Sequence, residues 1–418
     1  MKVSQLFTKT KKDAPADEVS KNAQLLIRAG YIHKELAGAY TFLPLGLKVL
    51  ENISQIVREE MDAIGGQEMK LTTLQDPEIW KATGRWDDEK VDVWFKTKLK
   101  NDTELGMAPT HEEPIVRAAQ PFVQSYKDLP FLAYQIQTKF RNETRAKSGV
   151  MRGREFLMKD LYSFARTEAE HEELYEKIKQ AYHRVYNRLG IGDQTFITFA
   201  SGGMFSQFSH EFQTVCEAGE DTIYLDRKKK IAINEEVNTD EVLKDLGLNR
   251  ADLEEVKACE VGNIFTLKDK FSKPLGLTFV DENDTDQNVL MGCYGIGPSR
   301  LVGVITELLG DDRGLVWPMN IAPYQIYLVR LGEDEVVIKA ADDLYENLQT
   351  SGFTVLYDDR DTRAGEKFAD ADLLGMPYRV VVSNKTIEQN KIELKSRIGS
   401  DSTLITIEEL KNQLQKTV

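Results

Sequence analysis

The spacing of apolar and polar positions changes character along the chain. From residue 20 to 66 it is helical. Leu45 to Ile64 carries Val49, Ile53, Ile56, Val57, Met61 and Ile64 along one stripe, which predicts an amphipathic helix. Gly65-Gly66 then stops it in the manner of a C-cap. Residues 92–97, 104–109 and 132–142 alternate with period two and predict strands. Thr167-Glu168-Ala169-Glu170 has the form of a capping box and opens a helix through Leu174, Ile178, Tyr182, Val185 and Leu189. Residues 222–258 are dense in charge, from Arg227 to Lys230 and on to Glu235, Glu236, Asp240 and Glu241, and predict a surface excursion holding a small helical hairpin. Strands are expected near 262–267, 275–280 and 289–296. A helix follows Pro298, because proline's fixed φ and missing N–H suit a first turn.

The pattern changes again at Trp317 to Pro323. Beyond it, strands at 325–331, 353–357, 378–383 and 392–397 alternate with helices to about Thr350, around Phe368 to Leu374, and from near Thr406. That is a compact α/β module of usual domain size. No internal repeat or low-complexity segment interrupts either part.

Composition narrows the setting. A chain of 418 residues has room for roughly two to three domains. With 41% hydrophobic and 29% charged residues it is expected to be an ordinary soluble protein. No apolar run approaches the ~20 residues needed to cross a bilayer, so no membrane partner is expected. The first residues mix lysines with aspartates and lack an apolar stretch, unlike a secretory signal. Cys216, Cys259 and Cys293 are far apart and form no CxxC pair, so a reducing cytoplasm is the expected compartment. The net charge of −14 argues against sequence-blind nucleic-acid binding but leaves room for a local basic RNA site.

Three stretches carry candidate chemistry. The first is Phe140-Arg141-Asn142-Glu143 followed by Arg152-Gly153-Arg154-Glu155-Phe156. Arg141 and Glu143, two apart on the predicted strand, share a face. A guanidinium there can grip phosphate and carboxylate bidentately, Glu143 can accept from an amine, Arg145, Lys147 and Arg152 suit polyphosphate, and Phe156 can stack on a purine. Taken alone, the same residues describe any exposed Arg–Glu pair at a strand end. The second stretch is Gly292-Cys293-Tyr294-Gly295-Ile296-Gly297-Pro298-Ser299-Arg300. Its glycines would let a flat ligand lie against the strand. Arg300, in a first helical turn where the dipole disfavours a cation, calls for an anion or a stacked ring. A glycine-rich strand packed tightly on a helix is the alternative. Arginine at the third glycine site rules out a G-x-G-x-x-G dinucleotide loop. The third is Pro109-Thr110-His111-Glu112-Glu113-Pro114, in which Thr110 and Glu112 could accept from a secondary ammonium. Spacing alone favours a helix cap there, with Thr110 capping and Glu113 completing the box. Zinc ligation by His111 lacks any paired spacing.

These stretches resemble motifs 2 and 3 of the class II aminoacyl-tRNA synthetases, and Leu45 to Gln67, with Pro44 before it, resembles motif 1. The wording of Pro109-Thr110-His111-Glu112-Glu113, Arg152-Gly153-Arg154-Glu155-Phe156, Ser209-His210-Glu211-Phe212, Glu260-Val261-Gly262-Asn263-Ile264-Phe265 and Gly292-Cys293-Tyr294-Gly295-Ile296-Gly297 is similar to the bacterial-type prolyl-tRNA synthetase family. Asp358-Asp359-Arg360, Lys367-Phe368-Ala369-Asp370 and Gly375-Met376-Pro377 resemble the anticodon-binding domain that the prolyl, threonyl, glycyl and histidyl enzymes share.

The resemblance implies an α+β fold: a class II catalytic domain with an antiparallel sheet flanked by helices over 1–320, and a C-terminal α/β anticodon-binding domain over 321–418. It implies a proline–tRNA ligase that uses ATP and Mg²⁺, with L-proline and tRNA(Pro) as substrates, dimerising through motif 1. Thr110, Glu112 and Arg141 would hold proline, with Met158, Phe265, Glu211 and Cys293 around it. Arg141 would also meet the α-phosphate. Glu143, Arg152, Phe156 and Arg300 would hold ATP, with Phe156 and Arg300 sandwiching the adenine. Arg141 and Arg300 are the expected catalytic residues, and Asp358, Arg360, Lys367 and Arg379 the candidate anticodon readers.

Departures from the family pattern are informative. The interval of about Asp226 to Lys257 is too short for the family's editing insertion, so clearing of mischarged alanine would fall to a trans-acting factor. Phe205-Ser206 and Lys268 stand where the family has glycines. A threonyl- or glycyl-type enzyme, a non-catalytic tRNA-binding paralogue and a free-standing deacylase are the competing readings.

Overall fold

The computed structural model describes residues 1–144, 146, 148–201 and 208–415. Arg145, Lys147 and Phe205-Ser206 lie outside them. The chain divides into two compact units.

The larger unit takes in residues 36–39 and 54–304. Its centre is a nine-stranded sheet. The strands are β1 (Gly66–Glu68), β2 (Phe131–Phe140), β3 (Glu155–Ala165), β4 (Thr195–Ser201), β5 (Phe208–Val215), β6 (Asp221–Asp226), β7 (Ile231–Asn234), β8 (Glu254–Lys268) and β9 (Leu290–Ile296). Their order is β5-β4-β7-β6-β8-β9-β3-β2-β1, and β5 also pairs with β8. Pairing is antiparallel except for β1 with β2 and β4 with β7.

Strand periodicity divides the sheet's side chains between two faces. One is covered by helix Glu168–Arg188, whose buried Tyr182 and Tyr186 pack on Phe212 at ring distances of 5.1 and 5.4 Å. Thr167 caps this helix, accepting from Glu170 N at 3.2 Å. The reciprocal bond shifts by one residue, since Glu170 accepts from Arg166 N. Helix Pro44–Ala63 buries the apolar stripe read from the sequence. Its Glu60 accepts from Arg184 and Arg188 at 2.7 and 3.0 Å.

Three expectations are corrected. Residues 32–42 form a hairpin, Ile32–Leu36 and Ala39–Phe42, not helix. At its turn Gly38 has φ +80°, and its carbonyl accepts from Arg154 N at 2.6 Å. Residues 222–258 contribute β6 and β7 to the main sheet, and their α-helix is a single short one, Asp240–Asp245. The reason is buried apolar residues, Ile223 and Leu225 alternating in β6 and Ala232 and Ile233 on the two faces of β7, masked by the charged turn between the strands. Strand β2 ends at Phe140, so Arg141 and Glu143 lie just past it, where Glu143 N bonds Arg141 O at 2.7 Å.

The smaller unit holds residues 1–35, 40–53 and 305–418. Five strands, Val355–Asp358, Ile326–Leu331, Tyr378–Ser383, Ile392–Ser396 and Ser402–Ile405, lie in that order. The first three are parallel and the rest antiparallel. Helices Glu335–Thr350 and Ile407–Gln415 bury Leu344, Leu348, Leu410 and Leu414 in the same core as Ile326, Val355 and Val380. Strand Ser402–Ile405 and the short helix Asn384–Glu388 are additions to the expected elements. The N-terminal segment joins this unit, with Ser4 N donating to Asp359 at 3.0 Å and Tyr31 stacking on Trp317 at 5.6 Å. Among the described residues, no helix is long and apolar enough to cross a membrane.

Candidate active site

The face of the sheet opposite helix Glu168–Arg188 lines a cavity. Phe156, Met158 and Asp160 project into it from β3, Asn263 and Phe265 from β8, and Cys293 and Gly295 from β9. Thr110, Arg141, Glu143, Arg152 and Arg300 complete its wall. The glycines of β9 therefore do different work. Gly295 faces the cavity, its nearest neighbour for an added Cβ being Met158 Sδ at 3.8 Å. Gly292 faces the other way, and a Cβ there would land on the Tyr294 hydroxyl.

At one end of the cavity the Thr110 hydroxyl donates to the Glu112 carboxylate, 2.7 and 2.8 Å from its two oxygens. Glu112 is fully buried. The Cys293 thiol points at Glu112 Oε1 from 3.3 Å. Burial and the neighbouring Glu112 hold that thiol well above its ordinary pKa, so Cys293 is a wall and no nucleophile. The expected capping box at Thr110 does not form. Helix Glu112–Ala119 has His111 at its N-cap, with no side-chain capping bond, and Glu113 bonds Thr83 and Arg85 instead. A buried guanidinium offers Glu113 more than a backbone N–H does. Arg85 went unnoticed in the sequence because nothing local marks a partner 28 residues upstream.

His111 is also structural. Its Nε2–H donates to Thr72 O at 3.0 Å and its Nδ1 accepts from Lys139 at 2.5 Å, an arrangement that sets the tautomer. Burial and then Lys139 lower its pKa to about 4. Lys139 in turn pairs with Asp160 at 2.7 Å, and Asp160 accepts from Gln135 and Tyr162.

Arg141 lies between the two ends. Its side-chain hydrogen bond is to Pro109 O at 3.3 Å, and its guanidinium sits over Phe156, 5.4 Å from the ring centroid. Burial lowers its pKa; Glu260 opposes this and Arg300 adds to it. A cation thus placed, with no carboxylate bonded to it among the described residues, is poised for an anionic ligand.

At the other end Arg300 donates to Met151 O at 2.8 Å and to Glu260 O at 2.6 Å. Arg152 bridges Glu143 and Glu220 at 2.8 and 2.7 Å. Glu211 is not on the cavity wall. It accepts from Gln213, Asn234 and Asn263 at 2.9, 3.3 and 3.3 Å, and burial followed by Glu260 raises its pKa to about 8. Asn263, absent from the expected site, donates to Glu260 at 3.0 Å, while its buried Oδ1 has no hydrogen-bond partner among the described residues.

In the smaller unit, Asp358 is fully buried and accepts from Tyr327 at 2.8 Å and from Arg360 at 2.7 and 2.8 Å. Lys367 is buried and donates to Arg330 O at 2.7 Å. Neither can offer its charge to a base edge, because both are committed to an internal network. Arg360 extends that network to Asp370, and Arg379 lies over Phe368 at 4.2 Å.

A mostly antiparallel sheet thus carries on one face a cavity lined by three arginines, three carboxylates and two phenylalanines. Residues 95–308 match the family model for the tRNA synthetase class II core domain (G, H, P, S and T), and residues 325–417 match that for the anticodon binding domain. The chain is 38% identical over 430 aligned residues to a proline–tRNA ligase of Ehrlichia chaffeensis, covering all of both chains. It is 37% identical to one of Zymomonas mobilis, covering 99% of this chain and 98% of the other. A crystal structure of prolyl-tRNA synthetase from Cryptosporidium parvum complexed with L-proline and AMP superposes with TM-score 0.76 at 19% identity, covering 94% of this chain and 74% of that one. The chain belongs to the proline–tRNA ligase family.

Proposed function

We propose that this chain activates L-proline with ATP and transfers the prolyl group to the 3′ end of tRNA(Pro). The observation that carries this reading is Arg141, a half-buried cation with no carboxylate bonded to it among the described residues, set in one cavity between the Thr110–Glu112 pair and the end lined by Arg152 and Arg300. The ammonium of proline donates to Thr110 and Glu112, and its ring lies among Met158, Phe265 and Cys293. Arg141 holds its carboxylate against the α-phosphorus. Phe156 and Arg300 sandwich the adenine, with Glu143 and Arg152 at the base and phosphates. The carboxylate attacks the α-phosphorus, giving prolyl-adenylate and pyrophosphate. A ribose hydroxyl of the terminal adenosine then takes the prolyl group. Positioning and charge stabilisation carry both steps, with no side-chain nucleophile.

For Mg²⁺, the residues that fit are Glu260 and Asn263. A hard cation prefers carboxylate and amide oxygens, and the orphaned Oδ1 of Asn263 is one. Bound with ATP, the cation would neutralise phosphate charge.

The catalytic core of this reading spans 1–320 and the tRNA-reading module 321–418, with Arg360 and Arg379 its candidate contacts. Dimerisation would use edge strand β1 and the apolar groove of Met69, Ile115, Val123, Phe131 and the exposed Phe122; sedimentation reads the state directly. Residues 221–268 are occupied by strands of the main sheet and short helices, so a trans-acting factor would clear alanyl-tRNA. The cytoplasm is the proposed compartment. Proline-dependent exchange of pyrophosphate into ATP tests the reaction. Exchange with threonine or glycine in place of proline, or no exchange by folded protein, would overturn it.

A further inference from the structure

Arg141 and Glu143 lie just past the end of β2, so the turn that carries them needs support from elsewhere. Arg154, the residue before β3, supplies it. Its carbonyl accepts from Arg141 N at 2.8 Å, and its Nε donates to Glu143 O at 3.0 Å. The same residue grips the tip of the 32–42 hairpin. Its Nη1 donates to Ala37 O at 2.8 Å and its N–H to Gly38 O at 2.6 Å, where Glu155 N also donates at 3.3 Å. The guanidinium thus joins two backbone carbonyls, one from the turn and one from the tip, and a planar fork holds such a pair at a fixed separation. The approach is too close for side chains. Gly38 is buried with φ +80°, and an added Cβ would lie 2.5 Å from the Ala146 Cβ and 3.0 Å from Arg154 N. From the other side, a Cβ on Gly153 would lie 3.0 Å from Gly38 O. Glycine at both positions lets the backbone of the tip meet the chain entering β3. Arg154 is not among the described residues that line the cavity.

We propose that the hairpin tip and Arg154 form a clamp that sets the Arg141–Glu143 turn for the nucleotide, with Arg154 and Gly38 as positioning residues that do not touch it. The inference rests on the reading that the end of the cavity lined by Glu143 and Arg152 takes ATP. Without the Arg154 side chain, the Glu143 carbonyl loses its anchor, and Arg152, paired with the Glu143 carboxylate at 2.8 Å, shifts with it. Arg141 keeps its backbone bond to residue 154, and Asn142 N keeps its own to Val93 O at 2.9 Å, so the turn stays folded. The proline end has separate supports. Thr110 bonds Glu112, and Glu112 is held by Arg85 at 3.2 Å and Cys293 at 3.3 Å. Loosening the clamp therefore weakens ATP and leaves proline nearly unaffected.

The test is calorimetric titration with ATP alone, beside KM for ATP and for proline in pyrophosphate exchange. Arg154→Met keeps the reach of the side chain and removes both of its bonds. Its Kd and KM for ATP should rise about tenfold, with KM for proline within about twofold of wild type. Arg154→Lys, which keeps a donor and loses the fork, should recover part of the loss. Gly38→Ala disturbs the other side of the clamp and should weaken ATP to a similar degree. The double variant Arg154→Met/Gly38→Ala should be no worse than the poorer single one, because the two act through one contact. Damage to the fold alone would instead lower the melting temperature, add up in the double variant and raise both KM values together. Wild-type ATP affinity in Arg154→Met, equal rises in KM for ATP and proline, or additive losses overturn the proposal. If Arg154→Met does not fold, Arg154→Lys and Gly38→Ala carry the same comparison of ATP with proline. A wild type that binds ATP and exchanges nothing with proline overturns the functional reading, and the ATP titration then still decides the clamp.

Discussion

At the scale of single residues, charge placement governs the cavity. Arg141→Ala removes a cation to which no carboxylate is bonded among the described residues, and the small side chain leaves the strand end intact. Its kcat/KM in pyrophosphate exchange should fall by about 3 kcal/mol in transition-state terms, the scale of a main electrostatic donor, while its unfolding midpoint stays near wild type. Lys268 is a second residue-scale case. It stands where the family has glycine, and its φ is +51°, at an irregularity in the β8–β9 register. The loop keeps the backbone a glycine would adopt, with lysine carrying the strain. Lys268→Gly should therefore be more stable than Lys268→Ala by about 1 kcal/mol in urea unfolding. Both variants lose the same exposed ion pair to Glu168, so that pair cancels in the comparison. Arg141, Phe156 and Arg300 could be singled out from the sequence because their neighbours form compact motifs. Arg85 and Asn263 could not, since each gains its meaning from a partner brought near by folding.

At the scale of elements, period two explains why one strand serves two purposes. Along β9, Cys293 and Gly295 face the cavity, while Gly292 and Tyr294 face the helix-covered side. The glycines look equivalent in sequence and are not. Gly292→Ala should cost about 1–3 kcal/mol of stability, because its methyl meets the hydroxyl pair of Ser163 and Tyr294, 2.9 Å apart. Gly295→Val should melt like wild type but raise KM for ATP or proline about tenfold, because its side chain enters open cavity space. Thermal melting and exchange kinetics on the two variants separate the roles. The same scale shows where pattern reading fell short. The hairpin at 32–42 and the strands β6 and β7 were hidden, one by flanking helical periodicity and the other by a charged turn. The Thr167 helix start was legible because a cap bonds only to its own first turn.

At the scale of the whole molecule, buried ionisable groups set how the fold answers pH. His111 is held neutral by burial and by Lys139, with a pKa of about 4 against its ordinary 6.5. The unfolded chain binds a proton to it below 6.5 and the folded chain does not until about 4, so stability falls as pH drops through that window. The loss should reach about 3 kcal/mol, read as a falling unfolding midpoint between pH 7 and pH 4.5, and His111→Gln should flatten it. Such networks mark the boundary between what sequence and tertiary structure each decide. The chain's own order determined the alternating strands and helices beyond residue 325, the capped helix after Thr167, the stripe of Leu45 to Ile64, and the motif wording that points to a class II synthetase. Each depends on residues a few positions apart, and short-range spacing is what a sequence displays. Only the folded molecule decided that Glu113 would leave a helix cap for Arg85, that Asp358 and Lys367 would turn inward, that Asn263 would present an unpaired oxygen, and that Gly292 and Gly295 would face opposite ways. Burial makes an unpaired charge or donor expensive, and distant parts of the chain supply the partners, so those outcomes exist only once the sheet has brought them together.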